Sequence, residues 1–246
     1  MGLGVALTWV AAVLLTMLAR RVHLFDRNSA HFARPRREAL VAIAAVVAQI
    51  VIVAVLFAIR GASTSPPIGP QPRYDVARLA VQLAIAAAAF SPILAVLILR
   101  RQGATTVGLS TRNLLAQVLL GVTIGLVAVI AMGKVAGLAT VGGPEGLRLV
   151  AFLAVGFEEE IVFRGFLQSR LVAWLGEGRG WLLAGAIFAL AHVPQDLASD
   201  GATPILIVDL ALQLVFGLVF GWIVLRVGGV WATGIAHGVA DWVGWL

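Results

Sequence analysis

Apolar residues run through this chain in long, nearly uninterrupted stretches, unlike the alternation of a half-buried strand or the one-sided stripe of a water-soluble helix. A bilayer crossing takes about 20 such residues. On that ruler the pattern predicts helices over residues 2–19, 39–59, 76–99, 114–138, 149–175, 181–193, 205–225 and 230–246, the sixth being short for a full crossing. The predicted fold class is therefore all-α, a polytopic membrane helix bundle of about eight transmembrane helices. No internal repeat and no water-soluble domain interrupts the series. Residues 1–113 read as N-terminal transmembrane scaffold helices and residues 114–246 as a transmembrane core, within one membrane domain.

Composition agrees with that pattern: 61% of residues are hydrophobic, 12% are charged and the mean hydropathy is +1.00, values that exclude an ordinary soluble domain. The net charge of +6 is nearly all arginine placed between the apolar runs. The most basic loop holds Arg20, Arg21, Arg27, Arg34, Arg36 and Arg37, which places it in the cytoplasm. Alternation then puts Arg100, Arg101, Arg112, Arg179 and Arg226 on the same side and Arg60, Arg73, Arg78 and Arg148 on the other. Arginines so placed serve topology and contact lipid headgroups; no nucleic-acid motif accompanies them. Residues 1–19 lack a basic start and precede Arg20 and Arg21, as suits an uncleaved first span with its N-terminus outside. Pro66, Pro67, Pro70 and Pro72 predict an extended outer connection over 61–73. With no cysteine there is no disulfide, thiolate metal site or cysteine nucleophile. Glycines paired at Gly121 and Gly125, Gly217 and Gly221, and Gly234 and Gly238 fit close helix approach in a membrane.

The stretch from Gly156 to Gly165 breaks the apolar pattern, because Glu158, Glu159, Glu160 and Arg164 stand inside a run long enough to cross the bilayer. A charge at that depth costs at least about 2.5 kcal/mol even on insertion scales, so it marks a candidate functional site. Glu160 and Arg164, four apart, share a helix face and can pair. Glu159 is turned about 100° from Glu160. It is left free to face a cavity and accept a proton as a general base. Glu158 points elsewhere again and reads as a rim carboxylate meeting water or a backbone donor.

Two of the four histidines, His23 and His31, fall in the basic loop; His192 and His237 fall in apolar helices. Phe188 lies four residues before His192 and Asp241 four after His237, each pair on one helix face. Counted from the predicted helix starts at 149, 181 and 230, and with a rise of about 1.5 Å per residue, Glu159, His192 and His237 can meet near the middle of the membrane. Asp209 and Gln213, four apart on the seventh helix, read as helix-to-helix hydrogen-bonding groups, with cavity lining as the alternative.

A glutamate beside a neutral histidine can deprotonate a water and return the proton to a leaving amine, which is hydrolysis by general acid–base catalysis. His237 and Asp241 would face the developing oxyanion. No serine, threonine or lysine stands in a comparable intramembrane cluster, which argues against a covalent nucleophile. Glu159, His192 and His237 are also a ligand set that zinc accepts, with a position open for water. The His-Glu-x-x-His helix signature is absent, so the residues leave both mechanisms open.

Glu159-Glu160-x-x-x-Arg164, Phe188-x-x-x-His192 and His237-x-x-x-Asp241, on three late helices and in that order, resemble the three motifs of the CAAX-protease and bacteriocin-processing family. These are intramembrane proteases, the Ras-converting CAAX endopeptidases among them. Phe163-Arg164-Gly165 and Gly234-Ile235-Ala236-His237 extend the resemblance, which covers about the last hundred residues. It implies an integral, multi-pass membrane endopeptidase that cleaves membrane-associated peptide or protein substrates, lipidated ones included, in the plasma membrane of a prokaryote. By motif position Glu159 and His192 would activate the water, Glu160 and Arg164 would stabilise the site, and His237 with Asp241 would bind the oxyanion. Many members carry asparagine where Asp241 stands. An ionised aspartate repels an oxyanion, so Asp241 either holds a proton or orients His237 by accepting its N–H; the shared face favours the second. Members have been described both as metalloproteases and as metal-independent enzymes, and the expectation here is that no cofactor is required, with a divalent metal such as zinc as the alternative. The rival readings are a non-catalytic membrane protein for bacteriocin immunity or partner regulation, and a proton or ion relay through the same groups.

Overall fold

A computed structural model describes residues 2–25, 31–60, 74–200 and 203–244. The chain is 85% helix with no strand among the described residues, so the all-α expectation holds. The helices are α1 (Gly2–Arg21), α2 (Pro35–Arg60), α3 (Val76–Leu99), α4 (Leu114–Ala131), α5 (Gly143–Glu159), α6 (Ser169–Leu175), α7 (Glu177–Asp200), α8 (Ile205–Val227) and α9 (Trp231–Val243). A π-helical segment, Glu160–Gln168, joins α5 to α6 in one rod.

Among the described residues six helices, α1 to α4, α7 and α8, are long and apolar enough to cross a membrane, so the expected count of about eight is not confirmed. The rod falls outside that set because it carries Glu145, Arg148, Glu158, Glu159, Glu160, Arg164 and Arg170; α9 has only 13 residues. Leucine, isoleucine and valine side chains stand exposed along α1, α2, α3, α4 and α8. Such surface is tolerated where lipid is the solvent, and the chain is an integral membrane protein.

Local chemistry explains where the observed ends depart from the expected ones. The fourth helix stops at Ala131 rather than 138, because Gly133 turns the chain at a φ of 69° into a short 3₁₀ stretch, Val135–Thr140. The sixth runs from Glu177 to Asp200 and passes through Pro194, where a stop at 193 was expected. Gly176, at a φ of 85°, separates it from the rod. The proline-rich stretch 61–73 lies outside the described residues.

Of the described arginines expected on the cytoplasmic side, Arg34, Arg36 and Arg37 line one pocket with Trp174 at the end of the bundle where α2 begins. There Glu38 pairs with Arg100 and accepts from Gln102 Nε2 at 2.9 Å. Arg170, fully buried, donates to Gln102 Oε1 at 2.5 Å and lies 4.0 Å from the Phe166 ring centre. Arg226 pairs with Glu177 at 3.0 Å at the same end.

α9 is wedged between α4 and α5, and α7 packs along α8. Two of the three glycine pairs make the wedge possible. A Cβ on Gly238 would come within 2.6 Å of Leu153 Cα, and one on Gly121 within 2.6 Å of the Ala232 carbonyl. Gly238→Ala is therefore expected to destabilise the protein by about 1–3 kcal/mol through overpacking. Gly103→Ala, where no atom lies within 4 Å of the new methyl, should leave the melting temperature in detergent unchanged. Equal melting of the two variants would contradict this account of the wedge.

Candidate active site

The rod, α7 and α9 bring the intramembrane polar residues together at the centre of the bundle. The π segment decides how. Its residues are buried apart from Ile161, and side chains just beyond it cap the carbonyls that its wide turns leave. Ser169 Oγ donates to the Gly165 carbonyl at 2.5 Å and Arg170 Nη1 to the Phe166 carbonyl at 2.9 Å. Tertiary packing, rather than local propensity, holds this conformation, which a regular helix over 149–175 did not anticipate.

Glu160 is fully buried and pairs with Arg164 at 3.0 Å. Arg164 in turn lies over Phe188, its guanidinium carbon 3.9 Å from the ring centre, with Phe216 at 5.5 Å. Phe188 thus has two duties: it is the platform for the buried guanidinium, and its carbonyl lies 2.9 Å from His192 Nδ1. A carbonyl only accepts, so Nδ1 of His192 carries a proton and Nε2 is left to face the site.

Glu159 faces the two histidines instead. Its Oε2 lies 3.8 Å from His192 Nε2 and 3.8 Å from His237 Nε2. Asp241 Oδ2 is 3.5 Å from the same Nε2 of His237. Nδ1 of His237 meets Glu160 Oε1 at 3.2 Å. Glu160 is therefore more than the counterion of Arg164: it takes the orienting contact on His237 that the shared face had suggested for Asp241, and Asp241 stands at the other nitrogen. Both ring nitrogens of His237 face carboxylate oxygens, which only accept, so a doubly protonated ring would have an acceptor for each N–H. Exposure grades across the cluster, from Glu160 at 0% and His237 at 7% to Glu159 at 20% and Asp241 at 39% of the side chain. The buried members can hold geometry and the accessible ones can meet a substrate.

Glu158 accepts a hydrogen bond from Gln49 Nε2 of α2 at 2.8 Å, where a water or backbone donor had been expected. Asp209 and Gln213 make no helix-to-helix hydrogen bond among the described residues, contrary to their expected role. Sequence reading passed over Gln49, although a glutamine inside an apolar span was the available signal. It also passed over Phe216, whose ring centre lies 4.6 Å from that of His237. The spacing of Phe216 and Phe220 gave a weaker hint.

The donor set of Glu159, His192 and His237 suits zinc by ligand type. Among the described residues, however, no group of three or more such side chains is arranged to hold a metal ion. Each ring nitrogen stands a bridged-hydrogen-bond distance from the carboxylate, a span that one water can occupy.

A family model described as type II CAAX prenyl endopeptidase Rce1-like matches residues 145–243, from the start of α5 to the end of α9. No curated protein and no solved structure matches the chain.

Proposed function

Since residues 145–243 belong to the Rce1-like family of type II CAAX prenyl endopeptidases, a family of proteases, we propose that this chain is an intramembrane endopeptidase that uses Glu159 and His192 to activate water. The observation that carries the reading is the 3.8 Å between Glu159 Oε2 and each of two imidazole Nε2 atoms, at mid-bundle and partly open. A water held between Glu159 and His192 gives its proton to the carboxylate as its oxygen attacks the scissile carbonyl. His237 Nε2–H donates to the oxyanion, with Glu160 fixing the ring from behind and Arg164 balancing the charge of Glu160. Glu159 then returns the proton to the leaving amine. Asp241, at 3.5 Å from the same nitrogen, holds the His237 N–H in the free enzyme and yields it when the oxyanion forms. The core over 114–246 carries this chemistry, with the earlier helices as its scaffold.

Cleavage of a peptide library by the reconstituted protein tests the reading, with and without a chelator and beside His192→Ala. Wild type is expected to cleave at apolar sites in both conditions, and His192→Ala to lose about 10²–10⁴-fold. Equal cleavage by both proteins would remove the assignment. Loss on chelation, restored by zinc, would move Glu159, His192 and His237 into the role of metal ligands.

A further inference from the structure

A cavity of about 290 Å³ lies against the catalytic cluster, and its wall is built in part by α1, which precedes the family-matched segment. Val5, Thr8 and Trp9 of α1 face Phe216 of α8 and Ala240 and Asp241 of α9 across it. Thr8 adds little polarity, because its hydroxyl already donates to the Gly4 carbonyl at 2.9 Å. Gly4 seats α1 on the end of α4, since a Cβ there would come within 2.6 Å of the Ala131 carbonyl. The result is an apolar pocket with one strong acceptor, the partly exposed Asp241 carboxylate, 3.5 Å from His237 Nε2.

Given the protease reading above, we propose that this cavity is the subsite for one large apolar side chain of the substrate, next to the bond cleaved, and that α1 sets its size. Three features select a polypeptide side chain over a lipid. The volume falls at the lower edge of small-molecule pockets, about 300–1,000 Å³. The carboxylate at its wall can accept a main-chain N–H and would repel a phosphate. The pocket is continuous with the cluster through Asp241, so a side chain seated there brings its own peptide bond toward His237. The lining residues Val5, near the start of α1, and Met132, which caps the end of α4, also put it toward the end of α1 opposite Arg20 and Arg21.

The test uses two readouts. In the first, peptides differing only in alanine, leucine or phenylalanine next to the cleaved bond are compared on wild type, Val5→Trp and Trp9→Ala. Filling the pocket with Val5→Trp should lower kcat/KM for the leucine and phenylalanine peptides about tenfold or more relative to alanine, and Trp9→Ala should shift preference toward phenylalanine. A uniform change for all three peptides, or none, would overturn the proposal. The second readout needs no cleavage and uses the absence of cysteine from the chain. Val5→Cys should be alkylated by a small maleimide, and the leucine peptide should slow that reaction several-fold more than the alanine peptide. Equal protection by the two, or none, would overturn the subsite. A wild type that cleaves nothing while protection holds would instead remove the protease reading.

Discussion

Glu159→Gln is expected to lower kcat/KM for any cleaved peptide by about 10²–10⁴-fold, the usual contribution of a general base, while leaving the melting temperature unchanged. The substitution keeps size and removes only the ability to take a proton. Its stability cost is small because Glu159 is partly open and, among the described residues, its carboxylate meets its ion-pair partners His192 and His237 only at 3.8 Å. Glu160→Gln should behave in the opposite way. It removes the charge that faces Arg164 at 3.0 Å and His237 at 3.2 Å in a fully buried place, so melting should fall first and activity with it. The double variant Glu159→Gln, His192→Ala should be no worse than the poorer single, since the two act on one water. Kinetics and melting curves on the same preparations decide the matter. Unimpaired cleavage by Glu159→Gln would take the base away from this residue.

That division between neighbouring glutamates was legible in the sequence because it depends on helix rotation alone, which a one-residue step fixes at about 100°. The meeting of Glu159, His192 and His237 was legible too, since depth in a membrane follows from counting residues along apolar runs. What the pattern missed depends on contacts between helices distant in sequence. Gln49 reaches Glu158 across 109 residues and Arg170 reaches Gln102 across 68, and neither spacing has a local signature. The π segment was invisible for the same reason: its carbonyls are capped by Ser169 and Arg170, residues that also suit an ordinary helix. Span counting failed where function loads a helix with charge. The rod that carries the site is the one whose composition least resembles a membrane crossing. The role of α1 was missed because its residues are apolar, and an apolar wall facing a cavity reads in sequence like one facing lipid.

Arg164→Ala should be the most destabilising single change in the site, by about 3–5 kcal/mol, the range found when one partner of a buried ion pair is removed. Two losses combine. Glu160 keeps its charge at 0% exposure with His237 and the Thr233 side chain beside it but no guanidinium, and the space over Phe188, 3.9 Å from the guanidinium carbon, is emptied. At about 2–4 °C per kcal/mol for a chain of this size, the melting temperature in detergent should fall by roughly 6–20 °C. Arg164→Lys should recover only part of it, because an ammonium cannot both cover the Phe188 ring and reach the carboxylate. Pairing Arg164→Met with Glu160→Gln removes both charges at nearly constant volume, so the double variant should melt well above Arg164→Ala. It should still cleave poorly, because His237 would face an amide that no longer fixes its charge or its ring. A double variant that melts as low as Arg164→Ala would mean that packing on Phe188, and not the unpaired Glu160 charge, makes Arg164 indispensable to the fold.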